Sequence, residues 1–414
     1  MLGDRIRKLR KQKKMTLEGL AGTELTKGML SLIENNKANP SMESLTYIAN
    51  QLGVDIADLM GEFRTEELRE TLERVEQIFN VPFRNPDFPD KYKQLIELIE
   101  PHIGKLSKGY ESARLLEIYS YSLQREGHPG WESLLKNASE MFDQMNISSN
   151  RTSIGIFRST IAFMEHNYED ALKIFKNERK EIEAKHAYIE PMARLDLDYS
   201  EAVYLYAVGD SKTAIETMEK ALTYSKEKRI FYLTDDLYRL AAVHAFMEGN
   251  EQEKVYYLSK LKQYGEFADH ASSIYFCELF TIIDLIAEKK EYTQALAKME
   301  ECLAQEDIMQ YYSPWFHLEK AKALYYLGRY EEAFQAIEMF VMPDLHHPID
   351  LSILYEKESY QALILMELGK MQEAVTAAQK AVDNFEPLLD SKMKTFSKTV
   401  LKDVLEKRNS LSAN

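Results

Sequence analysis

Apolar residues recur along this chain at three- and four-residue spacing, the period of helices with one buried face, and predict an all-α protein. Ile6 and Leu9 give a first helix its apolar side, and Thr16 caps a second over residues 17–21, broken at Gly22-Thr23-Glu24. Thr26 caps a third helix through Glu34, with Leu30 and Ile33 inward, and Asn35-Asn36-Lys37-Ala38-Asn39-Pro40 ends it. A fourth begins near Ser41, places Leu45, Ile48, Ala49 and Leu52 on one face, and stops at Gly53 as its C-cap. Asp55 caps a last short turn ending at Gly61.

Two short helices joined by a tight turn and buried by flanking helices form a helix-turn-helix. The stretches Ile6-Arg7-Lys8-Leu9-Arg10, Met15-Thr16-Leu17-Glu18-Gly19-Leu20-Ala21, Leu30-Ser31-Leu32-Ile33-Glu34 and Leu52-Gly53-Val54 resemble the lambda-repressor-like (XRE) DNA-binding family over the whole of residues 1–61. The resemblance implies that the helix from Thr26 enters the major groove, with Thr26, Lys27, Gly28 and Met29 at its base-facing start. It also implies a structural pairing of Arg10 with Glu34. Lys27 is the best candidate for a specific hydrogen bond, Met29 offers only apolar contact, and Asn36 and Lys37 suit phosphates. Leu17 stands where the family often has Gln, which departs from one customary phosphate contact, and Gly28 supplies no side chain, so base readout is expected to be sparse.

Residues 62–80 read as a charged helix with Leu68, Leu72, Val75 and Phe79 on one stripe. Packing against the same chain is the commoner fate of such a stripe, pairing with a partner chain the alternative. Prolines at 82, 86 and 89 cannot continue it, which places a linker and boundary at 62–89. Beyond it the chain repeats. A turn position followed five residues later by Ala recurs at Gly209, Gly328 and Gly369, with the turn residue replaced at His166 and Lys290 and the alanine replaced after Gly249. The period is about 40, and a weaker copy turns at Gly127. Seven positions before these turns stand Ser159, Ala202, Ala242, Ala321 and Ala362, small residues that let paired helices approach closely.

The stretches Ala321-Lys322-Ala323-Leu324-Tyr325-Tyr326-Leu327-Gly328-Arg329-Tyr330-Glu331-Glu332-Ala333 and Leu365-Met366-Glu367-Leu368-Gly369-Lys370-Met371-Gln372-Glu373-Ala374 resemble tetratricopeptide repeats. The organisation expected is a repeat domain over 90–385 and a capping helix over 386–414 with Leu389, Met393, Phe396, Val400 and Val404 inward. Stacked helical hairpins make a superhelix whose inner helices line a groove for a peptide or partner helix. The repeat register puts Asp196, Tyr199, Asp236, Arg239, Asp284, Lys322, Glu356 and Tyr360 on that side, an acidic-leaning set that suits a ligand with a basic residue.

Charge separates the two parts. The 414 residues carry -15 overall, yet residues 1–61 hold nine Lys/Arg against seven Asp/Glu. A polyanion binds nucleic acid only through such a local basic segment. No apolar run reaches the roughly 18 residues of a membrane helix, and the basic start is not followed by a signal-peptide core. The expectation is a cytoplasmic protein with no membrane partner. Cys277 and Cys302 read as reduced core thiols. No phosphate-cradling loop, His-Glu-x-x-His or nucleophile elbow is present, and the residues from Asp344 to Asp350, with adjacent histidines in an inter-repeat loop, make a poor metal site. No enzyme activity, cofactor or metal is expected.

An XRE-type head followed by a tetratricopeptide array resembles the peptide-pheromone-responsive regulators of Gram-positive bacteria, the Rap, NprR, PlcR, PrgX and Rgg group, with NprR-like members closest in length. That resemblance implies a transcriptional regulator that forms a homodimer or higher homo-oligomer, binds a partly palindromic operator in double-stranded DNA, and is controlled by a short signalling peptide, as in quorum sensing. Two alternatives stay open: a regulator whose array docks a protein such as a phosphorelay response regulator, and an interaction scaffold with a vestigial head.

Overall fold

The computed structural model describes residues 2–56, 59, 65–82, 90–305 and 312–412. Met60 and Gly61, which end the last expected turn, and the proline-containing boundary from 83 to 89 lie outside the described residues. Among the described residues the regular structure is entirely helical. By its contacts the chain divides into two compact units, residues 1–154 with 184–188, and 155–183 with 189–414.

The first unit begins with four short helices, α1 (Leu2–Gln12), α2 (Leu17–Ala21), α3 (Lys27–Glu34) and α4 (Met42–Leu52). The side-chain caps expected at Thr16, Thr26 and Ser41 are made. Thr16 Oγ1 accepts the Gly19 amide at 2.9 Å, Thr26 Oγ1 that of Met29 at 3.1 Å, and Ser41 Oγ that of Ser44 at 3.2 Å. Gly53 closes α4 in the left-handed conformation. Ile6, Leu20, Leu30, Ile33, Ile48 and Leu52 form the sealed centre. A Cβ on Gly3 would lie 2.1 Å from the Ile33 carbonyl oxygen, so only glycine permits this approach of α1 to the end of α3.

The same unit contains α5 (Thr65–Phe79), α6 (Lys91–Ile99), a 3-10 turn (Glu100–Lys105), α7 (Tyr110–Arg125) and α8 (Trp131–Met145). The stripe of the charged helix, Leu68, Leu72 and Val75, is buried against Leu95, Ile99, Leu115 and Ile118 of this chain. Arg114 of α7 fastens α5 through Glu76 at 2.6 Å.

Helical hairpins follow. Helix α9 (Ser148–Met164) pairs with α10 (Tyr168–Lys185), α11 (Pro191–Ala207) with α12 (Ser211–Lys228), α13 (Thr234–Glu248) with α14 (Glu251–Phe267), and α15 (Ala271–Ala287) with α16 (Tyr292–Leu303). Next come α17 (Ser313–Tyr326) with α18 (Tyr330–Glu338), the short α19 (Pro348–Leu354), and α20 (Glu356–Glu367) with α21 (Met371–Phe385). Helix α22 (Lys392–Ser412) covers α20 and α21 with Val400 and Val404, whereas Leu389, expected inside the cap, stays half exposed ahead of the helix.

The periodicity finds the turns. Gly127, His166, Gly209, Gly249, Lys290, Gly328 and Gly369 all adopt left-handed backbone, with φ between 58° and 83°. Five residues on, Ala171, Ala214, Ala295, Ala333 and Ala374 are fully buried, as are Ser159, Ala202, Ala242, Ala321 and Ala362 seven residues before.

The segment before α19 is more than a connector between repeats. Within the second unit it returns to hairpins far earlier in the chain, where Tyr168 donates to the His346 carbonyl at 2.8 Å and His347 Nε2 lies 3.3 Å from the Val203 carbonyl. Ile349 joins Leu205, Tyr206 and Ala214 in an apolar cluster. The array therefore closes on itself here.

Candidate nucleic-acid interface and ligand groove

Helices α2 and α3 are positioned by a core that takes Leu20, Ala21, Leu30 and Ile33 inward and leaves the opposite face of α3 in solvent. Behind α3, Arg10 grips Glu34 in a two-pronged pair, Nε to Oε1 at 2.6 Å and Nη2 to Oε2 at 2.8 Å, while Nη1 donates to the Met15 carbonyl. This buried fork fixes α1, the α1–α2 turn and the end of α3 together.

On the free face, Thr26 caps, and its oxygen is engaged within the turn. Lys27 is exposed and pairs with Glu18 of α2 at 2.6 Å. Gly28 is open, with Thr26 Oγ1, at 4.0 Å, the nearest atom to a Cβ built there. Met29 and Leu32 are each 46% exposed and, being three residues apart, share one helix face. Leu32 and Glu18 escaped the sequence reading, which weighed α3 by its first residues and had no means of seeing which side chain of α2 faces Lys27. Asn36 is held within the domain: its Oδ1 accepts the Gly3 amide and its Nδ2 donates to Asp4, both at 3.0 Å, so its amide fixes α1. Lys37 stands exposed beside it.

Of the groove residues, the fold brings four together. Tyr199 on α11 lies within electrostatic reach of Asp236 and Arg239 on α13, and Asp196 on α11 is joined to the residues before α13 through Tyr232. Tyr232 donates to Asp196 Oδ1 at 2.8 Å. Arg239 lies 3.3 Å from Asp235 and 3.9 Å from Asp236, donates to Ser273 Oγ at 3.0 Å, and has its guanidinium over the Phe276 ring. Its Nε is buried without a hydrogen-bond partner. Burial pushes the Asp196 and Asp236 carboxyls above their ordinary range, Asp235 adding to the effect on Asp236. Burial, with Asp236 and Asp350 adding, likewise pushes the Tyr199 phenol up. Asp235, Tyr232, Ser273 and Phe276 were not singled out in the sequence, whose repeat register marked other positions.

The other four residues lie elsewhere. Lys322 bonds Glu319 and Glu356, each at 2.7 Å, with its ammonium over the Tyr360 ring, and all but Glu356 are almost wholly buried. This triad joins α17 to α20 inside the stack, and its contacts do not include the cluster around Arg239. Asp284 pairs with Lys254 at 2.7 Å at the wall of a different cavity, at the turn ends of the hairpins. Among the described residues no group of three or more His, Cys, Asp or Glu is placed to hold a metal, and no helix is long and apolar enough to cross a membrane.

Residues 3–61 match the family model described as a helix-turn-helix domain, and by sequence and geometry together this segment is one. A curated relative, the immunity repressor protein of Bacillus phage phi105, is 30% identical over 88 residues, covering 19% of this chain and 61% of that protein's length. Among solved structures, the chain is similar to PlcR of Bacillus thuringiensis in complex with the peptide PapR7 and DNA, at 17% identity and a TM-score of 0.38 over 66% of this chain and 98% of that one. It is also similar to the apo form of ComR from S. thermophilus, at 19% identity and 0.35 over 72% and 98%, and to the pheromone receptor Rgg2 of Streptococcus dysgalactiae, at 17% and 0.30 over 67% and 98%.

Proposed function

We propose that this chain is a DNA-binding transcriptional regulator whose helical array takes a short peptide carrying at least one basic residue. The observation that carries the first half is the exposed start of α3, with Lys27, Gly28, Met29 and Leu32 presented by a helix-turn-helix whose segment has more Lys/Arg than Asp/Glu in a chain of net charge -15. Lys27 supplies the hydrogen bond to a base edge, and Met29 and Leu32 meet thymine methyl groups. Lys37 holds a phosphate. The second half rests on the groove at Arg239. Carboxyls that burial and mutual repulsion hold toward protonation gain from an incoming cation, and a guanidinium with an unpartnered Nε gains from an acceptor such as a peptide carbonyl.

Peptide binding then acts by population shift, favouring one arrangement of the array and with it one spacing of two DNA-binding heads in a homo-oligomer. Cytoplasmic residence follows from this role.

Selection of bound fragments from random duplex DNA, followed by titration of the selected site, tests the first half. Lys27→Ala is expected to weaken the selected site at least tenfold with an unchanged melting curve, and equal affinity would overturn this register on DNA. For the second half, the chain is titrated with a library of short peptides. Arg239→Glu is expected to abolish the peptide response and leave DNA affinity intact. An array that ignores peptides but retains a folded protein from solution would favour the protein-docking alternative.

A further inference from the structure

A cavity of about 1160 Å³ in the second unit is lined by none of the cluster Asp196, Tyr199, Asp236 and Arg239. Its walls are the turn ends of three successive hairpins, near Gly209, Gly249 and Glu288, together with Ile349 and Ser352 of α19 and the chain from Leu389 to Met393. Helix α19 separates the two compartments: Ile349 and Ser352 line the cavity, whereas the charge of Asp350 acts on Tyr199 of the groove.

Five carboxylates line the cavity against two ammonium groups. One of those, Lys254, is nearly buried and already shared between Asp284 and Glu251 at 2.7 Å each. Glu248 and Glu288 keep a net negative charge at the wall, and Ile283, Ala287, Ile349, Leu389 and Met393 supply apolar surface between them. An independent feature points the same way. His244 is 5% exposed, its ring lies against that of Tyr206 with centroids 4.4 Å apart, and burial lowers its pKa, so it is neutral. Its Nε2 has no hydrogen-bond partner, with Glu248 at 3.6 Å. With the proton on Nδ1, Nε2 is an acceptor waiting for a donor, and an ammonium placed between Nε2 and Glu248 would serve both.

We propose that this cavity is a second ligand site, for an organic cation with an aliphatic body, of the polyamine class. Such a ligand bridges three hairpin turns to the returning C-terminal segments and thereby stabilises the closed form of the array. This site is independent of peptide binding at Arg239.

The test uses the full chain, with spermidine as probe and adipate as the matched aliphatic anion, by calorimetric titration and thermal unfolding. Wild type is expected to bind spermidine saturably and melt higher with it, and adipate to do neither. E248Q/E288Q is expected to bind at least tenfold more weakly, and His244→Phe, which keeps the ring on Tyr206 and removes Nε2, several-fold more weakly. E216Q/E219Q, on exposed positions of α12, removes the same charge elsewhere and is expected to bind as wild type does. Absence of saturable binding, or equal weakening by the two double variants, would overturn the proposal, the latter showing diffuse attraction of a polycation to an acidic protein.

Discussion

At the start of α3, the exposed ammonium of Lys27 has a carboxylate 2.6 Å away. Both side chains are well exposed, so their attraction adds little to stability. In the proposed register on DNA, the carboxylate lies beside the base-facing Lys27 and lowers the local potential. Glu18→Gln is therefore expected to raise DNA affinity about three- to tenfold, at all sequences alike, and to steepen the salt dependence by a fraction of one phosphate contact, measured by anisotropy across salt concentrations. The Arg10–Glu34 fork is the opposite case. It is buried, and removing one partner strands a charge, so Arg10→Met is expected to destabilise the head by about 3 kcal/mol. The head's own unfolding transition in calorimetry reads this, and an unchanged transition would mean that the fork is idle.

At the scale of elements, the hairpin is the unit that the sequence writes most clearly, and its turn is where local strain collects. A non-glycine residue in the left-handed region costs about 1 kcal/mol. Lys290, at φ 58°, is such a residue in a turn most of whose copies use glycine. Lys290→Gly is expected to stabilise the second unit by about 0.5–1 kcal/mol in thermal or denaturant unfolding. His166, at φ 61°, carries the same strain, but its ring also lies 5.7 Å from that of His346. His166→Gly is therefore expected to gain less, and the difference between the two variants measures what the returning segment obtains from that ring.

At the scale of the whole molecule, the return of the segment before α19 couples hairpins well over a hundred residues apart, and its titratable groups oppose one another. Burial lowers His347 to about 4 from 6.5, so between those values the unfolded chain takes up a proton that the folded chain refuses. This contribution to stability rises with pH and is complete above about 6.5. Burial raises Asp350 to about 6 from 3.8, so the folded chain holds the extra proton there and stability falls as pH rises through that window. The two slopes largely cancel. Asp350→Asn removes one of them. It is expected to stabilise the protein at pH 7.5 by on the order of 2 kcal/mol and to leave a steeper loss on acidification from pH 6.5 toward 4, read as melting temperature against pH.

The sequence by itself determined the helices of the head, their caps and the sealed face of α3, because caps and apolar periodicity act within a few residues of each other. It also determined where the hairpins turn, since each turn needs left-handed backbone and each close helix crossing needs a small residue at a fixed distance from it. The tertiary structure decided which polar residues share a space. Lys322, Glu356 and Tyr360 are expected from the repeat on the same side as Arg239, yet pack between α17 and α20. Asp284 turns toward Lys254 and a second cavity. Asn36, exposed and polar in a loop, is tied to Gly3 and Asp4. The return of His347 and Ile349 to α11 left no mark on any local pattern, because it depends on the curvature accumulated over several hairpins, a sum of small rotations that no single repeat encodes.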